Sequence, residues 1–320
     1  MTDADGKLRH FHVSFFATVM GTAGLALAWL RAHEVLAMPR AAGLALAGVS
    51  ALVFVAVALA YGLKLLRHRE AVLAELHHPI KLSFFPAFSI SLVLLAMTAL
   101  SVSMPLARVL WLAGASLHLV LTLYVLTQWI FQPHFNVHHS TPAWFIPVVG
   151  NILVPIAAVP LGYVEAGWFF FSIGLVFWLV LKVLVFNRFI FHDPLPARLL
   201  PTMFILVAPP AVGFIAYLQL NGGELNDFAR VLFFIAAFLV LLLLAQFRRF
   251  AGSAFFLSWW AYSFPLAAFA IAAQVYYAHT GGGFFLAVAW AALLLATGVI
   301  AGLALKTLQV VLDGSVFQPD

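Results

Sequence analysis

Three histidines, His134, His138 and His139, form an H-x-x-x-H-H pattern, the densest group of metal-capable side chains in this 320-residue sequence. Imidazoles at that spacing can hold iron or zinc, and His68, His77, His78 and His192 fall in other polar stretches. A di-iron centre of the kind found in membrane desaturases and hydroxylases needs several such boxes, and only one here is convincing. A solvated histidine cluster is the favoured reading, with a histidine metalloenzyme as a minor alternative. There is no cysteine, hence no thiolate nucleophile, disulfide or cysteine-bound metal. No glycine-rich loop of the Walker type occurs either. We assign no catalytic residue, no metal and no cofactor, and expect no enzyme activity.

The prolines carry a different chemistry. Pro86, Pro147, Pro155, Pro160, Pro209, Pro210 and Pro265 all interrupt hydrophobic stretches. A transmembrane helix tolerates proline where neighbours, water or a cavity can satisfy the carbonyl it frees. Ten apolar segments are long enough to cross a bilayer, at about 12–30, 41–66, 83–102, 106–131, 143–162, 166–189, 201–220, 227–247, 253–278 and 284–306. Every one of those prolines lies on an odd-numbered segment, and the even ones carry none past their first turn. The alternation predicts bent helices around a pathway with straight helices covering them. The expected fold is an all-α integral membrane domain over 1–320: ten transmembrane helices, as five helical hairpins in a quasi-five-fold ring.

Composition agrees with that class. Hydrophobic residues make up 65% of the chain and charged residues 8%, far from a soluble globular mix. A transmembrane barrel would need strict alternation in shorter segments, which is absent. The net charge of +5 does not imply a nucleic-acid partner, because Lys and Arg in such a chain report orientation. Lys7, Arg9, Lys64, Arg67, Arg69, Lys81, Lys182, Arg188, Arg198, Arg248, Arg249 and Lys306 fall on one side, against Arg31, Arg40, Arg108 and Arg230 on the other. Both termini are therefore expected in the cytoplasm. The N-terminal stretch reads as leading into an uncleaved first helix rather than a signal peptide.

The odd segments offer almost no charge, only groups such as Asn151, Gln274, Ser89, Ser91, Ser263, Thr18 and Thr22. A pathway so lined would bind ions weakly, which suits conduction better than tight capture. These hydroxyls either face the pathway or back-bond within their own helices. Gly21, Gly24, Gly150 and Gly213 serve either close helix packing or a constriction. Phe16, Phe85, Pro86, Phe145, Pro147, Asn151, Phe204, Pro209, Ser263 and Pro265 are the candidates for lining the pathway or bending its walls. His118, near the middle of the fourth segment, is expected to hydrogen-bond to a neighbouring helix.

Three stretches carry a family resemblance: His78-Pro79-Ile80-Lys81-Leu82-Ser83-Phe84-Phe85, Ser140-Thr141-Pro142-Ala143-Trp144-Phe145-Ile146-Pro147, and Ser258-Trp259-Trp260-Ala261-Tyr262-Ser263-Phe264-Pro265. With the ten-segment pattern, the sequence resembles the TehA family over nearly its whole length. This is the tellurite-resistance and dicarboxylate transporter group that includes the plant slow anion channels. The resemblance implies a homotrimer in a bacterial inner (plasma) membrane, each subunit with its own pore and with a phenylalanine of the ninth helix plugging it. The matching residue is Phe264. It further implies small inorganic or organic anions as the partners, besides the lipid bilayer. The leading expectation is an anion channel, or channel-like anion exporter, with passive flux. The alternative is a proton-coupled carrier of C4-dicarboxylate, tellurite or sulfite. Plant members carry long regulatory tails that these short termini do not match.

Overall fold

The computed structural model describes residues 3–133, 135–250 and 255–317. Among these, ten α-helices have thirteen or more residues: α1 (Phe16–Leu36), α2 (Arg40–Arg67), α3 (Pro86–Ala99), α4 (Met104–Phe131), α5 (Phe145–Ala158), α6 (Val164–Phe191), α7 (Ala208–Leu220), α8 (Asp227–Leu244), α9 (Ser263–Thr280) and α10 (Gly283–Leu312). Eight segments are long and apolar enough to cross a membrane. The remaining two are the stretch through α5, which is short at Pro142–Ala158, and the one through α9. The last turns of α9 carry Gln274, Tyr276, Tyr277, His279 and Thr280, which dilute its apolar character. The expected start of the ninth segment, Ser253, lies outside the described residues.

Each odd helix is preceded by a 3₁₀ segment: Val13–Phe15, Lys81–Phe84, Pro142–Trp144, Ala197–Val207 and Leu257–Tyr262. The prolines explain this for at least two of them. Pro86 has no N–H to give the Leu82 carbonyl four residues back, so Phe85 N–H donates to it instead, at 3.2 Å. Pro209 leaves the Ile205 carbonyl in the same position, and Ala208 N–H takes it. A bond three residues apart is the 3₁₀ pattern. Proline is then accommodated in the first turn of the α-helix that follows, where its missing N–H costs nothing. Of the prolines singled out in the odd segments, Pro155 sits deep inside an α-helix, α5.

Packing separates two sets of helices. In their most apolar stretches, Val13–Leu36, Lys81–Ala99 and Ala197–Leu220 are 78%, 83% and 83% buried, against 17% for Arg40–Arg67 and 28% for Gly283–Leu312. Each odd helix packs against the even helix that follows it. Among the odd helices, α1 touches α3, α3 touches α5, α5 touches α7, α7 touches α9, and α9 returns to α1. The turn from α9 to α10 reverses through Gly281 and Gly282, at φ 68° and 84°, backbone angles that glycine adopts without steric cost.

The stretch after α2, between the second and third expected segments, forms a helix at Arg69–His77. It is tied back by a buried ion pair. Lys64 Nζ meets Glu75 Oε1 at 2.8 Å and donates to the Phe11 carbonyl at 2.8 Å, while the Tyr61 hydroxyl donates to Glu75 Oε2. Phe11 and Phe15 stack at 4.3 Å, and Phe317 stacks on both. Basic residues and both described chain ends thus gather at one end of the bundle, called the basic end below.

A candidate pore and the phenylalanine in its wall

The 3₁₀ segments and first turns of the odd helices surround a cavity of about 50 Å³ near the basic end. That is room for a few water molecules. Ser14, Ala17 and Met20 come from the first odd unit, Phe84 from the second, and Ile146 and Val149 from the third. Thr202, Ile205 and Ala208 come from the fourth, and Leu257, Ser258, Trp260, Ala261, Phe264 and Pro265 from the fifth. All five odd units contribute, and no charged side chain lines the space.

Phe264 is 6% exposed and is held by α9 against α1. A Cβ built on Gly24 would stand 3.2 Å from Phe264 Cδ2 and 3.2 Å from the Ala267 Cβ. The ring therefore rests on bare backbone of α1. One turn away, a Cβ on Gly21 would meet Ser263 Oγ at 2.3 Å. Gly21 and Gly24 let α1 and α9 approach closely, as small residues do between membrane helices.

The three hydroxyls in the cavity wall are engaged within the protein. Thr202 donates to the Leu199 carbonyl, Ser258 to the Arg198 carbonyl, and Ser14 Oγ lies 2.7 Å from His12 Nδ1. The other helix hydroxyls singled out in the sequence back-bond, with Ser89, which reaches His118, set apart. Thr18 donates to Phe15 O, Thr22 to Thr18 O, Ser91 to Ala87 O and Ser263 to Trp260 O. Each gives its proton to a carbonyl one turn back.

Of the residues proposed from sequence, the cavity brings together Phe264 and Pro265. Phe16 packs instead among Phe54, Tyr61 and Phe88. Phe85 stands edge-on to Tyr61, and its neighbour Phe84 takes the wall position. Pro86 and Pro209 occupy first turns of α3 and α7, and Phe145 is fully buried at the start of α5. Phe204 meets Tyr262 edge-on at 4.6 Å. Ser263 faces Gly21.

Asn151 and Pro147 belong to a polar cluster between α3, α4 and α5. His118 Nε2–H donates to the Pro147 carbonyl at 2.8 Å, and His118 Nδ1 lies 2.9 Å from Ser89 Oγ. Asn151 Nδ2 donates to the same carbonyl at 2.7 Å and to Thr122 Oγ1 at 3.1 Å. His118, Ser89 and Asn151 are fully buried. Among the described residues, no three His, Asp or Glu side chains gather to hold a metal, and His134 lies outside them.

The family model for SLAC1, described as a voltage-dependent anion channel, matches residues 10–308. The chain is 30% identical to the S-type anion channel SLAH2 of Arabidopsis thaliana over 315 residues, covering 96% of this chain and 57% of that one. It is 28% identical to the Guard cell S-type anion channel SLAC1 of the same plant, covering 84% and 50%. The Tellurite resistance protein TehA homolog of Haemophilus influenzae is 28% identical, covering 82% of this chain and 80% of its own. The chain thus spans about half the length of the plant relatives it matches. A match across residues 10–308 places this chain in the SLAC1 family of voltage-dependent anion channels.

Proposed function

We propose that the chain conducts anions passively through a pore between the five odd helices, closed by the ring of Phe264. One observation carries the reading: an apolar cavity lined by all five odd units has Phe264 in its wall. The cyclic succession of contacts from α1 through α9 supports a ring of ten spans with the even helices outside. A large ring across a narrow apolar passage stops ions by sterics and by dewetting. Because the wall hydroxyls are engaged within the protein, Thr202 and Ser258 with carbonyls and Ser14 with His12, they leave few donors for an anion. Selectivity then follows the cost of shedding water more than any fixed site. Basic residues such as Lys81 and Arg198, three and four residues before the wall residues Phe84 and Thr202, enrich anions at the entrance. The same reading takes the basic end as cytoplasmic, the membrane as a bacterial plasma membrane and the assembly as a homotrimer, which native mass spectrometry from detergent would count.

The test is current through the purified protein in a planar bilayer, comparing wild type with Phe264→Ala under chloride and nitrate gradients. Truncating the ring is expected to raise the current at least tenfold, with reversal potentials following the anion and ignoring an imposed pH gradient. Equal currents from the two proteins would remove Phe264 from the gate. Flux that appears only with a pH gradient would replace the conduit by a proton-coupled carrier.

A further inference from the structure

Arg188, in the last turn of α6, is 3% exposed, as buried as a core leucine. A guanidinium carries five N–H donors and a permanent charge. Its hydrogen bond within the protein runs from Nη1 to the Ser140 carbonyl at 2.8 Å, and Nε has no partner. Among the described residues no carboxylate pairs with it. Asp193, five residues on and exposed, acts on the guanidinium through space without reaching ion-pair distance. A carbonyl satisfies one donor and neutralises none of the charge.

The backbone step that Arg188 touches has the same deficit. Ser140 Oγ and Thr141 Oγ1 are buried with no hydrogen-bond partner. Ser83 Oγ is another such atom, on the Lys81–Phe84 segment, which packs against Pro142–Trp144. Groups like these are rarely left unmatched, and a buried charge almost never is. Each of these hydroxyls can donate, and Ser140 and Thr141 belong to the backbone step that the guanidinium touches.

The geometry points to an anion seat in which the Arg188 guanidinium holds a singly charged oxyanion and the Ser140 and Thr141 hydroxyls donate to it. A planar guanidinium fork pairs two oxygens at once, which favours an oxyanion over a halide. A single cation balances one negative charge and leaves a second uncompensated. The seat adjoins the proposed pathway. Ser83 precedes Phe84, and the Thr141 step leads into Ile146, both wall residues of the cavity. The occupant comes from one of two sources, a nitrate-like ion from solution or the phosphodiester of a lipid headgroup. This inference rests on the proposed anion flux only for the first source.

The experiment follows thermal unfolding of the full chain in nanodiscs of phosphatidylcholine by tryptophan fluorescence. Sodium nitrate replaces sodium gluconate at constant ionic strength. The expected result is a saturating rise in Tm that is lost in Arg188→Gln. In Thr141→Val, which keeps the cation and the fold, half-saturation should need several-fold more nitrate. A parallel series in discs containing phosphatidylglycerol separates the sources: an Arg188-dependent rise with that lipid, and no response to nitrate, assigns the seat to the headgroup phosphate. Equal rises in wild type, Arg188→Gln and Thr141→Val, or no rise from either source, overturn the proposal. The bilayer current of Phe264→Ala decides the conduit separately. A silent channel with an intact nitrate response removes the conduit and keeps the seat; current without that response does the reverse.

Discussion

Adding one methyl group at Gly150 should be among the most damaging small changes in this protein, and His118 is the reason. A Cβ there would lie 2.0 Å from His118 Cε1, 2.3 Å from Nε2 and 2.8 Å from Nδ1. Carbon atoms in contact prefer about 3.5–4.0 Å, so the ring would have to retreat by roughly 1.5 Å. It is held at both ends, at 2.8 Å to the Pro147 carbonyl and 2.9 Å to Ser89 Oγ. A shift that size breaks both bonds. Interhelical hydrogen bonds in membranes are worth about 0.6–2 kcal/mol each, and the buried groups left behind add to the loss. We expect Gly150→Ala to cost about 2–4 kcal/mol, read from reversible unfolding in detergent–SDS mixtures. The reasoning makes a sharper demand on the double variant. Once His118→Ala has removed the ring, Gly150→Ala should cost less than about 1 kcal/mol, a coupling expected only of residues in contact. An equal cost in both backgrounds would refute the assignment of the damage to this ring.

Two further outcomes follow from buried contacts. Glu75→Gln leaves the Lys64 ammonium, 1% exposed, without its counter-charge, so stability should fall by about 3 kcal/mol; Lys64→Met combined with Glu75→Leu should lose less, by the same unfolding assay. Gly24→Val presses branched carbons on the Phe264 ring, whose Cδ2 is already 3.2 Å from where a Cβ would stand. It should alter bilayer current in the wild-type background and leave the Phe264→Ala current within twofold, whereas similar effects in both would detach Gly24 from the gate.

The helices were legible because membrane spans announce themselves by length and apolarity. α2, Arg40–Arg67, and α4, Met104–Phe131, fall within two residues of the expected bounds at each end. The cavity wall was far less legible. Reading the odd segments as α-helix gives the wrong face, because their first residues are 3₁₀. In a 3₁₀ helix, side chains three apart eclipse one another. Along the 3₁₀ segments the wall follows that spacing, in Thr202 and Ile205 and in Leu257 and Trp260. A bend alone accounts for the same proline pattern, yet the prolines carry that signal, since they forbid the α-helical bond just before them. That is why Phe84 occupies the wall and the expected Phe85 does not. Arg188 was hidden for another reason. Its sequence position, near a helix end among basic residues, reads as an interfacial charge, and only its burial sets it apart.

One cause runs through the prolines, the back-bonding hydroxyls and the apolar wall. Proline in the first turn of an odd helix withholds a hydrogen bond from the carbonyl four residues before it. The 3₁₀ bond repairs that loss, as at Leu82 and Ile205. Hydroxyls then cover nearby carbonyls: Thr18 that of Phe15, Thr202 that of Leu199, Ser263 that of Trp260. Polar backbone in the odd units is thus satisfied locally and need not turn toward the cavity. The side chains that do face it are free to be apolar. Under the proposed function, such a wall gives a permeating ion nothing to bind tightly, and it would let one ring, Phe264, close the passage without first displacing a bound partner.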